Sequence, residues 1–380
     1  ITPIKNNGID TYSFTIEPYS MVTISTIEHN PLEYEYKEHT SKILALPYTD
    51  NFEYTNYPKD YLHNRGNAPR YTTDQGGAFE VCNINGNNIL MQMITPDIRA
   101  IDWGYTPNPT TNFGDDRWYN YSISADVQLI NSTLPNENYI GIGLRYNLAS
   151  ISESGYWISI YEDGTWKLKC NQNTLKQGTV PNFNSNIWHN LKLQAIHSTV
   201  TAWIDSVEVT SYNDKPSCSA GRGALYSSWN NNCLDNIMVS PIEGLNPYIT
   251  KLDNTDTAFS YIGSWKHHTM SSFKNYKRTI SEGTKDAIMK FVFKGSGFAL
   301  TGAVEHATIS IKLDDNLIED SYTLEQIPNR FITYEINGLE LKEHLLEVKV
   351  LSGTFAIDGV QVTDMPITLT SNNIKDITKV

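Results

Sequence analysis

The chain is poor in what a cofactor centre, a membrane helix or a nucleic-acid surface requires. It holds four cysteines in 380 residues, Cys82, Cys170, Cys218 and Cys233. No two of them form a C-x-x-C pair, which excludes a zinc ribbon and a thioredoxin-type dithiol. No apolar run approaches the roughly 18 residues of a membrane-crossing helix, so no span is expected. Bases are scarce beside acids, 29 Lys+Arg against 42 Asp+Glu, and a net charge of −13 leaves no basic stripe to follow a phosphate backbone. Nucleic acid is excluded as a partner. A nucleophile elbow, a P-loop and an H-E-x-x-H motif are all missing. The first residue is Ile1 rather than Met and no basic-led apolar leader follows, as expected where a targeting segment has been removed or never belonged to the chain.

What is present is alternation. A content of 39% hydrophobic and 19% charged residues fits folded protein, and the length fits two or three domains. Short segments rich in Tyr, Ile, Val and Thr recur between turn residues while helical periodicity is nearly absent, so the fold class is all-β. Residues 155–161 and 165–170 around Asp163-Gly164, and residues 188–196 and 199–204 around His197-Ser198, read as hairpins. In the first, Tyr156, Ile158 and Ile160 face Trp166, Leu168 and Cys170, and Trp157 and Tyr161 make the other face apolar too. Apolar residues on both faces suit a strand pair inside a layered sandwich. Trp157, Trp166, Trp188 and Trp203 are expected to pack within or along such sheets. Cys218 and Cys233 flank a short hairpin-like stretch and could be bridged, while a buried free thiol is the more economical reading of each cysteine. Asn120-Tyr-Ser122 and Asn131-Ser-Thr133 fit the glycosylation sequon, a chance match in so Asn-rich a chain.

Composition shifts set the expected boundaries. Residues 1–27 hold two strand-like runs, 11–16 and 20–25, too few to close a sheet, and read as terminal strands of a sandwich whose remainder is missing. Residues 28–47 have linker composition, 48–242 form one sandwich, 243–365 a second, and 366–380 a linker to a missing module.

Particular residues add a likeness that periodicity does not supply. The run Pro18-Tyr-Ser-Met-Val-Thr-Ile24 resembles the closing strand of the small β-sandwich that packs on the catalytic barrel of many retaining glycoside hydrolases. Tyr48-Thr-Asp-Asn-Phe-Glu-Tyr54, Asp74-Gln-Gly-Gly-Ala-Phe-Glu80, Ile101-Asp-Trp103, Arg117-Trp-Tyr-Asn120 and Leu234-Asp-Asn-Ile-Met-Val239 follow in the order seen in the lectin-like domain of galactocerebrosidases. Phe293-Lys-Gly-Ser-Gly-Phe-Ala-Leu-Thr-Gly302, Ile311-Lys-Leu-Asp-Asp315 and the run 348–360 resemble the galactose-binding-like jelly rolls appended to secreted carbohydrate-active enzymes. The resemblance therefore implies a concanavalin-type, lectin-like sandwich followed by a galactose-binding-like one. It also implies the C-terminal part of a secreted or cell-surface glycoside hydrolase acting on galactosides, separated from its catalytic barrel, and a bacterial source is expected. Carbohydrate or glycolipid is the implied partner, and a monomer is expected. The alternative, from another class, is a free-standing carbohydrate-binding or adhesion protein.

Glycoside hydrolysis itself needs two carboxylates about 5 to 10 Å apart across a cleft. Glu33-x-Glu35-x-x-Glu38 imitates the alternating acids of a concanavalin-like catalytic strand, but it sits beside Pro31 in the linker and reads as a solvated charge run. No catalytic residue is expected in the chain. His267 and His268, as strand neighbours, point to opposite faces and cannot share one metal. Asp115-Asp116 and Asp314-Asp315 read as turn chemistry. Calcium is the one cofactor with a case: Asp50, Asn51 and Glu53 from the first strand of the sandwich and Asp235 from its last offer hard oxygens, and the resemblance makes those strands neighbours. A carbonyl near Phe79 would complete the shell, and Asn51 stands where the resemblance leads one to expect Asp. For sugar contact the candidates are Trp103 and Tyr105, in a Gly- and Pro-rich loop that the resemblance places at the rim of the barrel's active site.

Overall fold

The computed structural model describes residues 5–6, 12–13, 44–54, 68–98, 108–132, 137–147, 154–171, 173–272, 275–302, 306–324 and 331–364. The chain divides into two compact units, residues 1–42 and 43–380. In the first unit the described residues are one short antiparallel pair, Lys5–Asn6 with Tyr12–Ser13. The run 18–24, the acids Glu33, Glu35 and Glu38, and both candidate sugar contacts, Trp103 and Tyr105, lie outside the described residues.

The second unit is built of strands, with a single 3-10 turn, Tyr276–Arg278, among its described residues. An eight-stranded sheet runs, edge to edge, Val207–Asn213, Thr199–Ile204, His189–Ile196, Tyr121–Gln128, Cys233–Pro241, Asn87–Gln92 and Phe79–Ile84, with Tyr48–Asp50 also paired to Cys233–Pro241. Its partner has seven strands: Asn173–Thr179, Thr165–Cys170, Tyr156–Tyr161, Tyr139–Tyr146, Arg222–Ser227, Thr110–Phe113 and Thr72–Gly76. Their facing sides share one core, with Ile123, Ala125, Val127, Leu191 and Leu193 from the first meeting Ile140, Ile142, Ile158, Leu168 and Leu225 from the second. Full burial of each such aliphatic side chain is worth about 1.5–3 kcal/mol, which is why period-2 patterning fixes which face turns inward. His189–Ile196 shows it plainly: Leu191, Leu193 and Ala195 are buried while Asn190, Lys192 and Gln194 are turned out.

A second pair of sheets follows. Its larger sheet runs Ile249–Asp253, Gly359–Thr363, Ile288–Thr301, Ile332–Gly353, Ala307–Leu313 and Asn316–Thr323, with Phe259–Ile262 beside Ile288–Thr301. A three-stranded sheet of Trp265–His268, Ile280–Gly283 and Phe355–Ile357 closes over it, so that Phe355 and Ile357 join Phe291, Phe293, Phe298 and Val348 in one core. The all-β reading and its two sandwiches are what the chain folds into. Both expected hairpins form, with Ile158 opposite Leu168 and Ile196 opposite Thr199.

Two residue-level expectations change. Cys170 and Cys218 are joined as a disulfide, whereas Cys82 and Cys233 are free, so the considered bridge from Cys218 to Cys233 does not form. Trp188 is 38% exposed rather than packed. Asn120 is buried, its amide oxygen accepting from His197 N and its amide donating to Asn246 O, in keeping with a chance match to the sequon. By contrast the paired acids behave as expected. Asp115 accepts from Arg117 N, Nε and Nη2 within its own turn, and Asp314 and Asp315 take left-handed conformations in the hairpin turn after Leu313. His267 and His268 bond separately, to Ser281 Oγ and Glu282 Oε2.

A polar seam joins the two sandwiches. Glu335 of the second accepts from Ser217 N at 2.8 Å, Ser217 Oγ at 2.7 Å and Tyr119 OH at 3.4 Å of the first. Ala220 N donates to Gln361 Oε1, and Tyr119 N and Ile249 N exchange backbone bonds with Pro247 O and Arg117 O. Behind that contact lies Arg145, 1% exposed, whose guanidinium donates to the carbonyls of Tyr119, Cys218 and His197 and lies 3.8 Å from the Tyr119 ring centroid. A buried cation is tolerated because carbonyl oxygens take up its donors. Trp118, fully buried, packs so closely on Gly114 that a Cβ there would lie 2.2 Å from its ring, and Gly114 has φ +100 besides, so both space and backbone require glycine.

Candidate functional site

The outward face of the eight-stranded sheet carries rows of side chains set by strand register. Lys192 lies opposite Trp203 on one side and Ser124 on the other, and Ser124 lies opposite Met238. The next row is Thr201, Gln194, Ser122 and Ser240. Small hydroxyl residues in mid-sheet with larger ones on each side make an open trough of about 480 Å³, lined by Ser122, Ser124, Lys192, Gln194, Met238 and Glu243 among others. Ser122 and Ser124 form its floor at 9% exposure each. Among the described residues nothing takes up the side-chain donors of Ser122, Ser124, Lys192, Gln194 or Ser240 in a hydrogen bond or ion pair. Met238, 46% exposed, forms an apolar wall. Uncommitted hydroxyl and amide donors beside apolar surface are the groups that recognise a hydroxyl-rich, uncharged ligand.

The third row leads to the acids considered for calcium. Asn190 faces Asp126, which faces Asp235. Asp126 is held by two amides, Asn190 Nδ2 at 2.8 Å and Asn236 Nδ2 at 2.9 Å. Asp235, 6% exposed, accepts from Asn87 Nδ2 at 3.0 Å and Asn236 N at 2.7 Å. Glu53 accepts from the adjacent Asn88, through N at 2.9 Å and Nδ2 at 2.6 Å. Burial pushes the Asp235 carboxyl above the usual carboxylate range against the pull of those hydrogen bonds, and the charges of Asp126 and Glu53 add to the rise. Asp50 reaches the same end of the sheet, opposite Ile237, but its carboxylate is already engaged by Tyr48 OH at 2.9 Å, Tyr54 OH at 2.6 Å and Phe52 N at 2.9 Å. Asn51 is exposed and caps Glu53 N. The four expected ligands are thus brought to one sheet end, with Glu53 and Asp235 in one acidic group and Asp50 in a separate tyrosine-lined one. Among the described residues, the group of three acid, histidine or cysteine ligand atoms lying within 4.8 Å of one another is Cys170, Asp214 and Cys218, and there the two sulfurs are bonded to each other.

The trough was not anticipated from sequence. Its one legible sign is Trp203, an aromatic on the outward, polar parity of 199–204, where Val200, Ala202 and Ile204 are the buried set. The seven-stranded sheet carries more aromatics on its own outward face, Tyr139, Tyr146, Trp157, Tyr161 and Tyr226, but these are buried against one another.

Residues 74–241 match the family model described as galactocerebrosidase, C-terminal lectin domain, a span that falls within the first pair of sheets. No curated protein matches the chain. Among solved structures, the carbohydrate-binding module CBM66 from Bacillus subtilis aligns at 12% identity over 45% of this chain and 95% of its own, with a TM-score of 0.35. The exoplasmic/lumenal domain of VIP36 in its Ca2+- and mannose-bound form aligns at 10% identity over 46% of this chain and 85% of its own, with a TM-score of 0.34. A structure from work on endo-acting O-glycanases of the human gut microbiota aligns at 12% identity over 53% of this chain and all of its own, with a TM-score of 0.36. No helix among the described residues is long and apolar enough to cross a membrane.

Proposed function

We propose that the chain is the carbohydrate-binding, non-catalytic C-terminal region of a secreted glycoside hydrolase acting on galactosides, and that its first sandwich binds glycan in the trough of the eight-stranded sheet. The observation that carries the reading is the set of unpaired donors on the trough floor, Ser122, Ser124, Gln194 and Ser240, within the span similar to a galactocerebrosidase lectin domain. Ser122 and Ser124 are almost buried, and buried polar groups are ordinarily satisfied by the protein, by ordered water or by a ligand. Catalysis would belong to a barrel outside this chain, and the chain alone is expected to bind a galactoside without turning it over. Calcium is the cofactor of this reading. Glu53 and Asp235 would supply its hard oxygens with Asn51 beside them, and the ion would offset the burial, and the smaller effect of the neighbouring charges, that raise the Asp235 carboxyl. Asp50 would join only by giving up its tyrosine bonds.

Isothermal titration of the whole chain with galactosyl oligosaccharides tests the proposal. Measurable binding that Ser124→Trp abolishes, by filling the trough, is the expected result. Absence of binding, or equal binding by the variant, would overturn it.

A further inference from the structure

The trough is lined by Lys192 but not by Trp203, although the two lie side by side across a strand pair. Lys192 Nζ sits over the indole, 5.0 Å from its ring centroid. Trp203 is only half-buried, so the cation rather than core packing covers that face. We infer that Lys192 is a displaceable cap on Trp203, and that the bound state of the trough has the ammonium swung aside and a pyranose ring seated on the indole. The inference rests on the glycan-binding reading and specifies how that site is completed.

Three observations support it. An ammonium over a ring occupies the space in which a flat C–H face would lie, so cap and sugar exclude each other on that side. Lys192 makes no ion pair or hydrogen bond among the described residues, so the indole is its one attachment. An exposed cation–π contact is worth only about 0.5–1 kcal/mol, small enough for a ligand to displace. Once Lys192 moves, the row Trp203, Ser124, Met238 becomes continuous, an aromatic platform at one side of a hydroxyl floor with an apolar wall at the other. The negative face of an indole favours the weakly positive C–H groups of a sugar. The ligand class is therefore a neutral pyranoside with an unbroken C–H face. An acidic sugar is disfavoured by the carboxylates around the trough, Asp126, Glu208 and Glu243.

Removing the cap should tighten binding, since the ligand no longer has to displace it. Titration of a neutral galactosyl oligosaccharide into Lys192→Ala is expected to give affinity about two- to five-fold above that of the unaltered chain, the equivalent of one exposed cation–π contact. Trp203→Ala should lose binding, and Trp203→Phe should keep part of it. Should Trp203→Ala fail to fold, the Trp203 indole resonance of the unaltered chain, assigned from Trp203→Phe, should shift on titration. Weaker binding by Lys192→Ala, or an indole resonance unmoved at saturation, would overturn the cap while leaving glycan binding intact wherever Ser124→Trp still blocks it. If the unaltered chain binds no glycan, cap and glycan-binding reading fall together.

Discussion

Asp358 is poorly matched to its surroundings. It is 7% exposed, one carboxylate oxygen accepts from Tyr276 N, and the other is buried without a partner. Burial, with the charge of Asp253 adding to it, pushes its carboxyl up to about 7. Because the folded-state value lies above the unfolded one, the folded chain keeps a proton that the unfolded chain has lost. Stability from this residue therefore falls as pH rises from about 4 to about 7 and stays lower above that. Asp74 and Asp235 shift the same way, and Asp115 and Asp314 the other way, so the residue is isolated by comparing variant with unaltered chain. Asp358→Asn should be neutral near pH 4 and stabilising at pH 8 by on the order of 3 kcal/mol. Urea unfolding at both pH values checks this, and a variant no more stable at pH 8 would contradict it. At this scale the sequence conveys little. Nothing local to Cys170 names Cys218 as its partner 48 residues away. Arg145, read along the chain, is an unremarked charge in the apolar run 139–146, and its burial comes from three carbonyls contributed by distant turns.

Strands are the most legible element, because a period of two states both secondary structure and the buried face. His189–Ile196 and Thr199–Ile204 could be paired from their turn and alternation alone, and they pair in that register. The trough could not be found that way, since its floor and walls come from three strands whose order in the sheet, 189–196, 121–128, 233–241, is not their order in sequence. Ser122 or Ser240 taken singly is an ordinary outward polar residue, and only the sheet makes them neighbours. The calcium candidates were half legible. Pairing of Tyr48–Asp50 with Cys233–Pro241 brings them to one end, but a kink at Asn236, whose φ is 49, turns Asp235 toward Asn87 and Glu53 rather than toward Asp50. If calcium binds there, it raises the stability of the folded state by mass action. The melting temperature in excess calcium should exceed that in chelator by a few degrees, at about 2–4 °C per kcal/mol. Asp235→Ala should remove the difference. Identical melting with calcium and with chelator would exclude the site.

At the scale of the whole molecule, the two sandwiches of the second unit share more than a linker. Glu335 answers three donors of the first sandwich, and Ser217, which supplies two of them, is fully buried. Glu335→Ala would leave the Ser217 amide and hydroxyl unmatched, at about 2–4 kcal/mol. Glu335→Gln, which keeps an acceptor, should cost less. Denaturant midpoints for the two variants check the ranking, and a Glu335→Ala midpoint within error of the unaltered chain would show that the seam contributes nothing. The account as a whole stands on that trough being where sugar lands. Backbone amide shift mapping of the labelled chain during titration with a neutral galactosyl oligosaccharide measures this directly. The account predicts that the perturbed signals cluster at Ser122, Ser124, Lys192, Gln194, Trp203 and Ser240, and perturbations confined to the second sandwich or to the outward face of the seven-stranded sheet would contradict it.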